Sequence, residues 1–187
     1  CMDFERIDEH GTVSVGMTPT YDAGLLVREL LIAAGAAVGR HFSENGLPML
    51  YTAFADPRKA LLDHLETLEG LLPGLPLREH GEILRRVTEA AANHPVEDAV
   101  LYLLRRILPA ARYVRTPAPH HLHAVDAFVS FANPAGRYAD LLVQRAIKNS
   151  IRYGAAVAND SRFDEKLRDA ARCCSETEER CSMLEAR

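Results

Sequence analysis

The pattern of apolar and polar residues changes its period along the chain. Two short runs, residues 2–7 and 12–15, alternate between apolar and polar positions on either side of residues 8–11. A period of two predicts strands, and the glycine-containing segment between them predicts a β-hairpin. Residues 22–43 follow the helical period, and Asn45-Gly46 predicts the end of that helix. Its apolar stripe consists of Leu26, Leu30, Ala33, Ala37 and Val38.

The rest of the chain predicts mainly helices, with a loop rich in proline and glycine at residues 71–77. Further helices are expected at residues 56–68, 78–92, 96–108, 134–153 and 162–187. Short strands are expected at residues 47–54, 111–115 and 122–128. Together these elements predict an α+β fold, dominated by helices, with a small and mostly antiparallel sheet. We expect a single domain over residues 1–187.

Composition restricts how the chain could bind a partner. The 187 residues are 48% hydrophobic with a mean hydropathy of −0.12, which is typical of a globular domain. The net charge is −4 and the pI is about 6.1. A protein that held nucleic acid by its overall charge would be basic, so any RNA contact must come from a local cluster. No pattern indicates specific binding of DNA.

The cysteines and the longest apolar run indicate the compartment. Cys1, Cys173, Cys174 and Cys181 have neither the spacing of a disulfide framework nor that of a zinc site. Residues 30–39 are too short to span a bilayer, and no signal peptide precedes them. We therefore expect an intracellular protein in a reducing compartment, either the cytoplasm or an organelle matrix. Because the chain opens on Cys-Met, we interpret it as a segment of a longer polypeptide or a processed one.

Residues 133–145 predict a capped amphipathic helix. Asn133 is suited to accept hydrogen bonds from free N–H groups at a helix start, and Pro134 suits the first helical position because it lacks an N–H group. One helix face would carry Tyr138, Leu141, Leu142 and Arg145. Periodicity therefore predicts that Tyr138 lies in the core. It also predicts a surface ion pair between Arg137 and Asp140.

A longer segment, from His120 to Arg145, reads HHLHAVDAFVSFANPAGRYADLLVQR. Without a gap it resembles H-F-G-L-A-L-x-A-Y-T-H-F-T-S-P-I-R-R-Y-x-D-L-L-V-H-R, the C-terminal signature of the ribonuclease II/R (RNB) family of 3′→5′ exoribonucleases. Residues that match a common family residue are Ala124, Asp126, Ala127, Phe131, Pro134, Arg137, Tyr138, Asp140, Leu141, Leu142, Val143 and Arg145. Two of the positions that depart from it bear on activity. Asn133 stands at the family's serine, and Gly136 stands at the first arginine of the R-R-Y run.

Weaker resemblance covers most of the remaining chain. Residues 25–51 resemble the family's long helix and the segment after it, with Glu29 at a family glutamate near the terminal nucleotide. Residues 111–113 resemble the A-x-Y that precedes the signature, and residues 174–180 resemble the closing helix. The resemblance implies the C-terminal half of an RNB domain. The family's first half, with the aspartate cluster that holds magnesium, has no counterpart in this sequence.

These departures imply that the chain descends from the RNB family but has lost the catalytic activity of the family. In the family, the arginine that falls on Gly136 contacts the scissile phosphate, and a glycine supplies no cation. Phosphodiester hydrolysis also needs a divalent metal held by converging carboxylates. The carboxylates that lack the family's spacing are Asp3, Glu5, Asp8, Glu9, Glu29, Asp126 and Asp140. We therefore expect no catalytic residue, no enzyme activity of this chain alone and no cofactor. Magnesium is expected only if the missing half is supplied.

RNA contact is expected from an arginine-rich region between Arg105 and Arg145, which could bind phosphates without reading bases. The candidate RNA-binding residues are Glu29, Arg112, Arg115, Arg137, Tyr138 and Arg145. In the alternative interpretation, the arginines lie on solvated helix faces and Glu29 is a boundary carboxylate that pairs with Arg28 or another neighbour.

Three histidines form the other cluster of possible ligands. In a β-strand, His121 and His123 would lie on one face. No acidic or thiol partner lies near them in sequence, and the resembling family segment holds no metal. We therefore expect no metal site at His120, His121 and His123.

Three functional hypotheses follow. The first is a catalytically inactive RNB remnant, kept as a structural or RNA-contacting subunit of a larger assembly such as a ribonucleoprotein. The second is the C-terminal half of an active exoribonuclease whose metal-binding half lies on another chain or segment. The third is a helical protein-interaction module without an RNA role. Because half an RNB domain leaves strand edges and apolar surface open, each hypothesis includes other protein subunits as partners.

Overall fold

The first strands form the predicted hairpin. β1 (Met2–Ile7) pairs antiparallel with β2 (Val13–Met17), with an irregular register between Phe4 and Arg6. The computed structural model describes residues 2–7, 13–17, 22–73, 83–92, 94–154 and 161–185. The expected hairpin turn at 8–11, most of the loop at 71–77 and the start of the helix expected at 78–92 lie outside the described residues.

The long helix α1 (Asp22–Glu44) has nearly the predicted bounds, and the chain turns away after it at Gly46, whose φ of +62° favours glycine. The apolar stripe, however, was predicted wrongly. Leu26 and Leu30 are 62% and 60% exposed, and Ala33 and Ala37 are also exposed. The buried positions of α1 are Gly35, Gly39 and Phe42. A prediction from side-chain hydrophobicity does not identify this buried face, because the helix packs there through glycines, which have no side chain.

The chain divides into two units, Cys1–Ala34 and Gly35–Arg187. The first contains the hairpin and the start of α1, and all further elements belong to the second. In the second unit β3 (Tyr51–Ala53) follows α1, and Met49 and Leu50 just before it are fully buried. The segment predicted as a buried strand, residues 47–54, is thus largely buried, but only Tyr51–Ala53 within it forms a paired strand.

Four short helices follow β3 and share one apolar cluster. They are α2 (Arg58–Asp63), α3 (Leu65–Leu71), α4 (Ile83–Ala91) and α5 (Glu97–Ile107). Leu61, Leu68, Val87 and Val100 are at most 1% exposed at its centre. The helix expected at 56–68 begins as predicted, because the Asp56 carboxylate accepts the Arg58 N–H at 2.9 Å. It breaks at His64, whose ψ of +18° interrupts the helical path.

After this helical insert the chain returns through β4 (Arg112–Val114), which pairs antiparallel with β3. The elements α6 (Tyr138–Tyr153) and α7 (Ser161–Glu185) complete the unit. Their main core contains Leu142, Val143 and Leu167 together with Met49 and Leu50. Both sheets are two-stranded and antiparallel, so the α+β prediction with dominant helices is confirmed. No helix in the described ranges has the length and hydropathy needed to cross a bilayer.

The strand expected at 122–128 is absent, and residues His121–His123 form a short 3-10 turn instead. The chain folds back here. The His120 N–H donates to the Val125 carbonyl at 2.8 Å, and the His121 N–H donates to the Phe54 carbonyl at 3.1 Å. Ala124 takes a φ of +53° to close the turn. These bonds satisfy the backbone groups that a strand would have paired.

Candidate functional site

The residues around Gly136 form a turn that stands before α6 and not inside it. We call residues 133–137 the motif turn. The Asn133 carbonyl accepts the N–H groups of Gly136 and Arg137 at 3.2 and 2.9 Å. Arg137 is extended, with φ −134° and ψ +118°, and α6 begins at Tyr138 with no side-chain cap. The predicted start of this helix at residue 134, and the predicted capping of it by Asn133, are therefore wrong. Asn133 instead closes the turn, because its Oδ1 accepts the Gly136 N–H at 3.0 Å.

Asp140, in the first turn of α6, holds the motif turn in place through hydrogen bonds. This residue is 0% exposed. Its Oδ2 accepts the Asn133 N–H at 2.8 Å and the Ser130 hydroxyl at 3.1 Å, while Oδ1 has no hydrogen-bond partner among the described residues. The predicted surface ion pair between Arg137 and Asp140 is therefore wrong. Asp140 faces inward because its carboxylate supplies the acceptor that the buried backbone of the turn needs.

Asn133 and Gly136, two of the positions that depart from the family signature, lie against each other. A Cβ atom at Gly136 would lie 2.6 Å from Nδ2 and 3.0 Å from Oδ1 of Asn133. Real Cβ contacts are not that short, so any larger residue at 136 must displace the Asn133 amide. Because Asn133 is exposed, its amide can turn away, and the two residues are coupled mainly through the hydrogen bond from the Gly136 N–H to Asn133 Oδ1.

Beside the motif turn lies an open groove of about 410 Å³. Tyr138 lies on its α6 side, and Lys166, Asp169 and Arg172 lie on its α7 side. Tyr138 is 57% exposed, so its predicted place in the core is wrong. The buried face of α6 consists of Ala139, Asp140, Leu142, Val143 and Ala146. The predicted helix face is rotated relative to this one, because hydrophobic periodicity treats Tyr138 as apolar and Asp140 as polar.

Tyr113 of β4 is a site residue that sequence analysis missed. It is 7% exposed, and its pKa is raised to about 12, mainly by burial and also by the charge of Glu178, while Arg137 opposes the shift. The charge of Asp140 also contributes to the rise in the pKa of Tyr113. The Ser175 hydroxyl of α7 accepts its N–H at 2.9 Å. Residues 111–113 resemble a family motif, which was the available signal, but Lys166 and Arg172 gave none because α7 carries mixed charge.

The remaining candidate residues are placed in different surroundings. Arg137 and Arg145 are exposed, whereas Arg115 makes a two-point ion pair with Asp164, and these side chains are 28% and 32% exposed. Arg112 is exposed on β4 and lies away from the groove, in a cavity with Arg105 and Arg106.

Glu29 lies in the first unit. It is exposed and forms an ion pair with Arg28 at 3.1 Å. The pairing considered in the alternative interpretation is therefore present.

The histidines form a stacked pair and not an open ligand set. The rings of His120 and His123 are parallel, with centroids 4.0 Å apart, and Phe128 packs edge-on against both. Burial lowers the pKa of His120 to about 4, so its ring is neutral at pH 7. No group of three or more histidine, cysteine or acidic residues that could hold a metal occurs in the part of the chain that the structure describes.

The sequence profile of the RNB domain matches residues 3–153. Ribonuclease R of Thermotoga maritima is 28% identical over 180 residues, which cover 92% of this chain and 25% of that protein. The acetazolamide conferring resistance protein zam of Synechocystis is 29% identical over 150 residues, which cover 76% of this chain and 19% of that protein. The chain thus spans about a quarter or less of the length of these relatives.

Solved structures of Mycoplasma genitalium RNase R have the same fold. The complex with ribose methylated single-stranded RNA superposes with a TM-score of 0.69 at 17% identity, covering 96% of this chain and 29% of the other. The complex with double-stranded RNA gives the same TM-score at 18% identity and covers 33% of that chain. The match of the RNB profile extends over most of the present chain, and the chain therefore belongs to the RNB domain family.

Proposed function

We propose that this chain is a non-catalytic RNB segment that contacts RNA through the groove beside the motif turn, as part of a larger assembly. One observation carries this proposal. Gly136 stands where the resembling family motif has an arginine, and the Asn133 amide fills the space that a side chain at residue 136 would need. Gly136 therefore supplies no cation at the position where the resembling family motif has its phosphate-contacting arginine.

The groove favours retained RNA contact. It combines an exposed aromatic ring, Tyr138, with the cations Lys166 and Arg172 and the carboxylate of Asp169. Arg172 also pairs with Glu176 at 3.5 Å, and the exposed Arg137 directly precedes Tyr138 in the chain. Bases stack on aromatic rings while arginine and lysine attract phosphates, so this combination is typical of single-stranded nucleic-acid binding without sequence preference. The RNA complexes of Mycoplasma RNase R, which has the same fold, support the same ligand class.

The described residues do not fit a magnesium site. Asp140 is the buried carboxylate next to the motif turn, and its Oδ2 is already used by Ser130 and Asn133. A hard divalent cation needs several converging oxygens, and one carboxylate with a single free oxygen does not supply them. We therefore propose that the chain holds no metal of its own, and that magnesium would enter only with carboxylates from another chain or segment.

Fluorescence anisotropy with labelled single-stranded oligoadenylate, together with a gel assay for cleavage in magnesium, tests this function. We expect micromolar or weaker binding and no cleavage. Arg137→Gln and Tyr138→Ala should each weaken binding about threefold or more. Arg40→Gln is the matched control, because Arg40 is exposed on α1 and lines neither the groove nor the arginine cavity. Magnesium-dependent release of nucleotides that Arg137→Gln abolishes would contradict the proposal.

A second function, the C-terminal half of an active exoribonuclease, is favoured by the first half of α1. Leu26, Val27 and Leu30 are 62%, 54% and 60% exposed, a contiguous apolar surface of the kind that marks an interface. Co-expression with the first half of a ribonuclease R catalytic domain distinguishes the two functions. Stable co-purification with magnesium-dependent nuclease activity would favour the second function. Co-purification without activity would favour the non-catalytic one.

A further inference from the structure

A second cationic site lies in the same unit as the motif turn but is formed by different residues. A cavity of about 290 Å³ lies between the end of α5, the start of β4 and the last turns of α7. We call it the arginine cavity. Its charged lining consists of Arg105, Arg106, Arg112 and Glu179. Three guanidinium groups and one carboxylate give the lining an excess of positive charge in a chain whose net charge is −4.

The convergence of these arginines is not explained by local structure alone. Arg105 and Arg106 occupy the last turn of α5, where cations interact favourably with the helix dipole. Arg112 comes from a separate element, β4, and has no such role. It is exposed while the next residue, Tyr113, is buried, because consecutive side chains of a strand point to opposite sides.

At least two of these cations are available to a ligand. Neither Arg105 nor Arg112 forms an ion pair or a side-chain hydrogen bond within the described ranges. Arg106 is held differently. Its Nη1 donates to the Tyr102 hydroxyl at 3.3 Å, and its guanidinium lies 5.7 Å from the centre of that ring. Tyr102 thus orients one guanidinium at the rim of the cavity, while Arg105 and Arg112 keep all their donors.

The apolar lining identifies the rest of the ligand. Leu108, Pro109, Ala110, Ala111 and Met183 line the cavity beside the arginines. A free phosphate would gain nothing from this surface. A nucleobase would pack on aliphatic side chains and guanidinium planes while its phosphate binds the arginines. The volume is near the lower limit of about 300 Å³ for ligand pockets, which suits a ligand of about one nucleotide.

We propose that the arginine cavity binds a nucleoside phosphate, either a free mononucleotide or one nucleotide of an RNA strand. This site does not depend on the groove beside the motif turn, so the two can be tested separately. Glu179 provides a test that separates binding in this cavity from general attraction to a positively charged surface. As the carboxylate in the lining it repels the phosphate, and removing its charge should strengthen binding.

Isothermal titration of the full 187-residue chain with AMP, and separately with inorganic phosphate, tests the site. AMP should bind at least several-fold more tightly than phosphate. Arg105→Gln and Arg112→Gln should each weaken AMP binding about three- to tenfold, and Glu179→Gln should strengthen it. Arg40→Gln is again the matched control, since it removes the same charge elsewhere. Thermal melts show which variants fold, and Arg105→Gln and Glu179→Gln act at exposed helix positions even if Arg112→Gln disturbs β4.

Labelled oligoadenylate distinguishes the two sources of the nucleotide. If the cavity binds a strand, oligoadenylate should bind more tightly than AMP. Arg112→Gln should then reduce the slope of log affinity against log salt by about 0.7. If it binds a free nucleotide, the cavity variants should affect AMP and leave oligoadenylate unchanged. Equal affinities for AMP and phosphate would overturn the proposal. So would arginine variants that behave like Arg40→Gln, weaker binding by Glu179→Gln, or a polyglutamate peptide that binds more tightly than either nucleotide probe.

Discussion

The side-chain amide of Asn133 lies where a Cβ atom of residue 136 would have to be, since that atom would come within 2.6 Å of Asn133 Nδ2. The Gly136 N–H also donates to Asn133 Oδ1 at 3.0 Å. Asn133 therefore both occupies the space of a side chain at residue 136 and hydrogen-bonds to the backbone of that residue. Asn133 and Gly136, two of the positions at which the chain departs from the RNB signature, are therefore in direct contact.

This coupling predicts that Gly136→Arg is destabilising by itself. The new side chain displaces the Asn133 amide and breaks its hydrogen bond to residue 136, at a cost of about 1 kcal/mol. Asn133→Ser in the same chain removes the obstructing amide, so the double variant should be less destabilised than the sum of the single variants by about 0.5–1 kcal/mol. Urea unfolding of the four proteins measures the coupling. Strictly additive free energies of unfolding would show that the two positions are independent.

Asp140 should matter more for stability than any polar side chain of the motif turn that it supports. Asp140→Ala leaves the Ser130 hydroxyl and the Asn133 N–H without their buried acceptor, which should cost about 3 kcal/mol. Asp140→Asn keeps an oxygen for both donors and places its NH₂ group at the position of the unpaired Oδ1, so it should cost about 1 kcal/mol. Chemical denaturation compares the two. Equal losses would mean that the negative charge, and not the acceptor geometry, is what the turn requires.

His120 predicts a dependence of stability on pH. Its pKa falls from 6.5 in the unfolded chain to about 4 in the folded protein, mainly because it is buried. The unfolded state therefore binds the proton more readily, and the free energy of unfolding should decrease as the pH falls from 6.5 towards 4, by at most about 3 kcal/mol. Above pH 6.5 this contribution is complete.

His120→Phe provides the comparison for this effect. Phenylalanine keeps an aromatic ring among Phe54, His123 and Phe128 but does not titrate. The difference in free energy of unfolding between the wild type and the variant should change between pH 6.5 and 4, since contributions from other groups cancel. A constant difference over this range would contradict the assignment.

Two glycine-to-alanine changes should have opposite effects. A Cβ atom at Gly35 would lie 2.5 Å from both the Phe128 ring and the Val129 carbonyl oxygen, so Gly35→Ala should cost about 2 kcal/mol or more. Gly70 in α3 has no atom within 4 Å of such a Cβ, and Gly70→Ala should stabilise the protein by about 0.5 kcal/mol through helix propensity. Differential scanning calorimetry of both variants shows whether each change raises or lowers the stability of the protein. A neutral Gly35→Ala would show that α1 moves away from residues 128–129 at little cost.

Sequence patterns predicted most elements because those elements are determined locally. The bounds of α1 and α7 agree with the periodicity within a few residues, and β3 and β4 lie within the expected strand segments. The segment between His120 and Arg137 was predicted poorly, since its conformation depends on distant partners. The His121 N–H bonds to the Phe54 carbonyl, far back in the sequence, and no local pattern encodes that contact.

The candidate site was predictable only where it resembles a family motif. The resemblance identified Arg137, Tyr138 and Arg145 as candidates, and all three are exposed. Hydrophobic periodicity placed Tyr138 in the core and Asp140 on the surface, which reverses their positions, because it does not recognise a buried carboxylate that binds backbone N–H groups. It also gave no signal for Lys166 and Arg172, which reach the groove only when α7 packs beside α6.

The two apolar clusters of the second unit also have a consequence for the order of folding. The helices α2 to α5 enclose a core of their own, and their contacts are local in sequence. The strands β3 and β4 lie on either side of this insert and pair across it. Forming the insert first shortens the flexible span between the strands and lowers the entropy lost when they meet. Substitutions at Leu61, Val87 or Val100 should therefore slow the assembly of a sheet that these residues do not belong to.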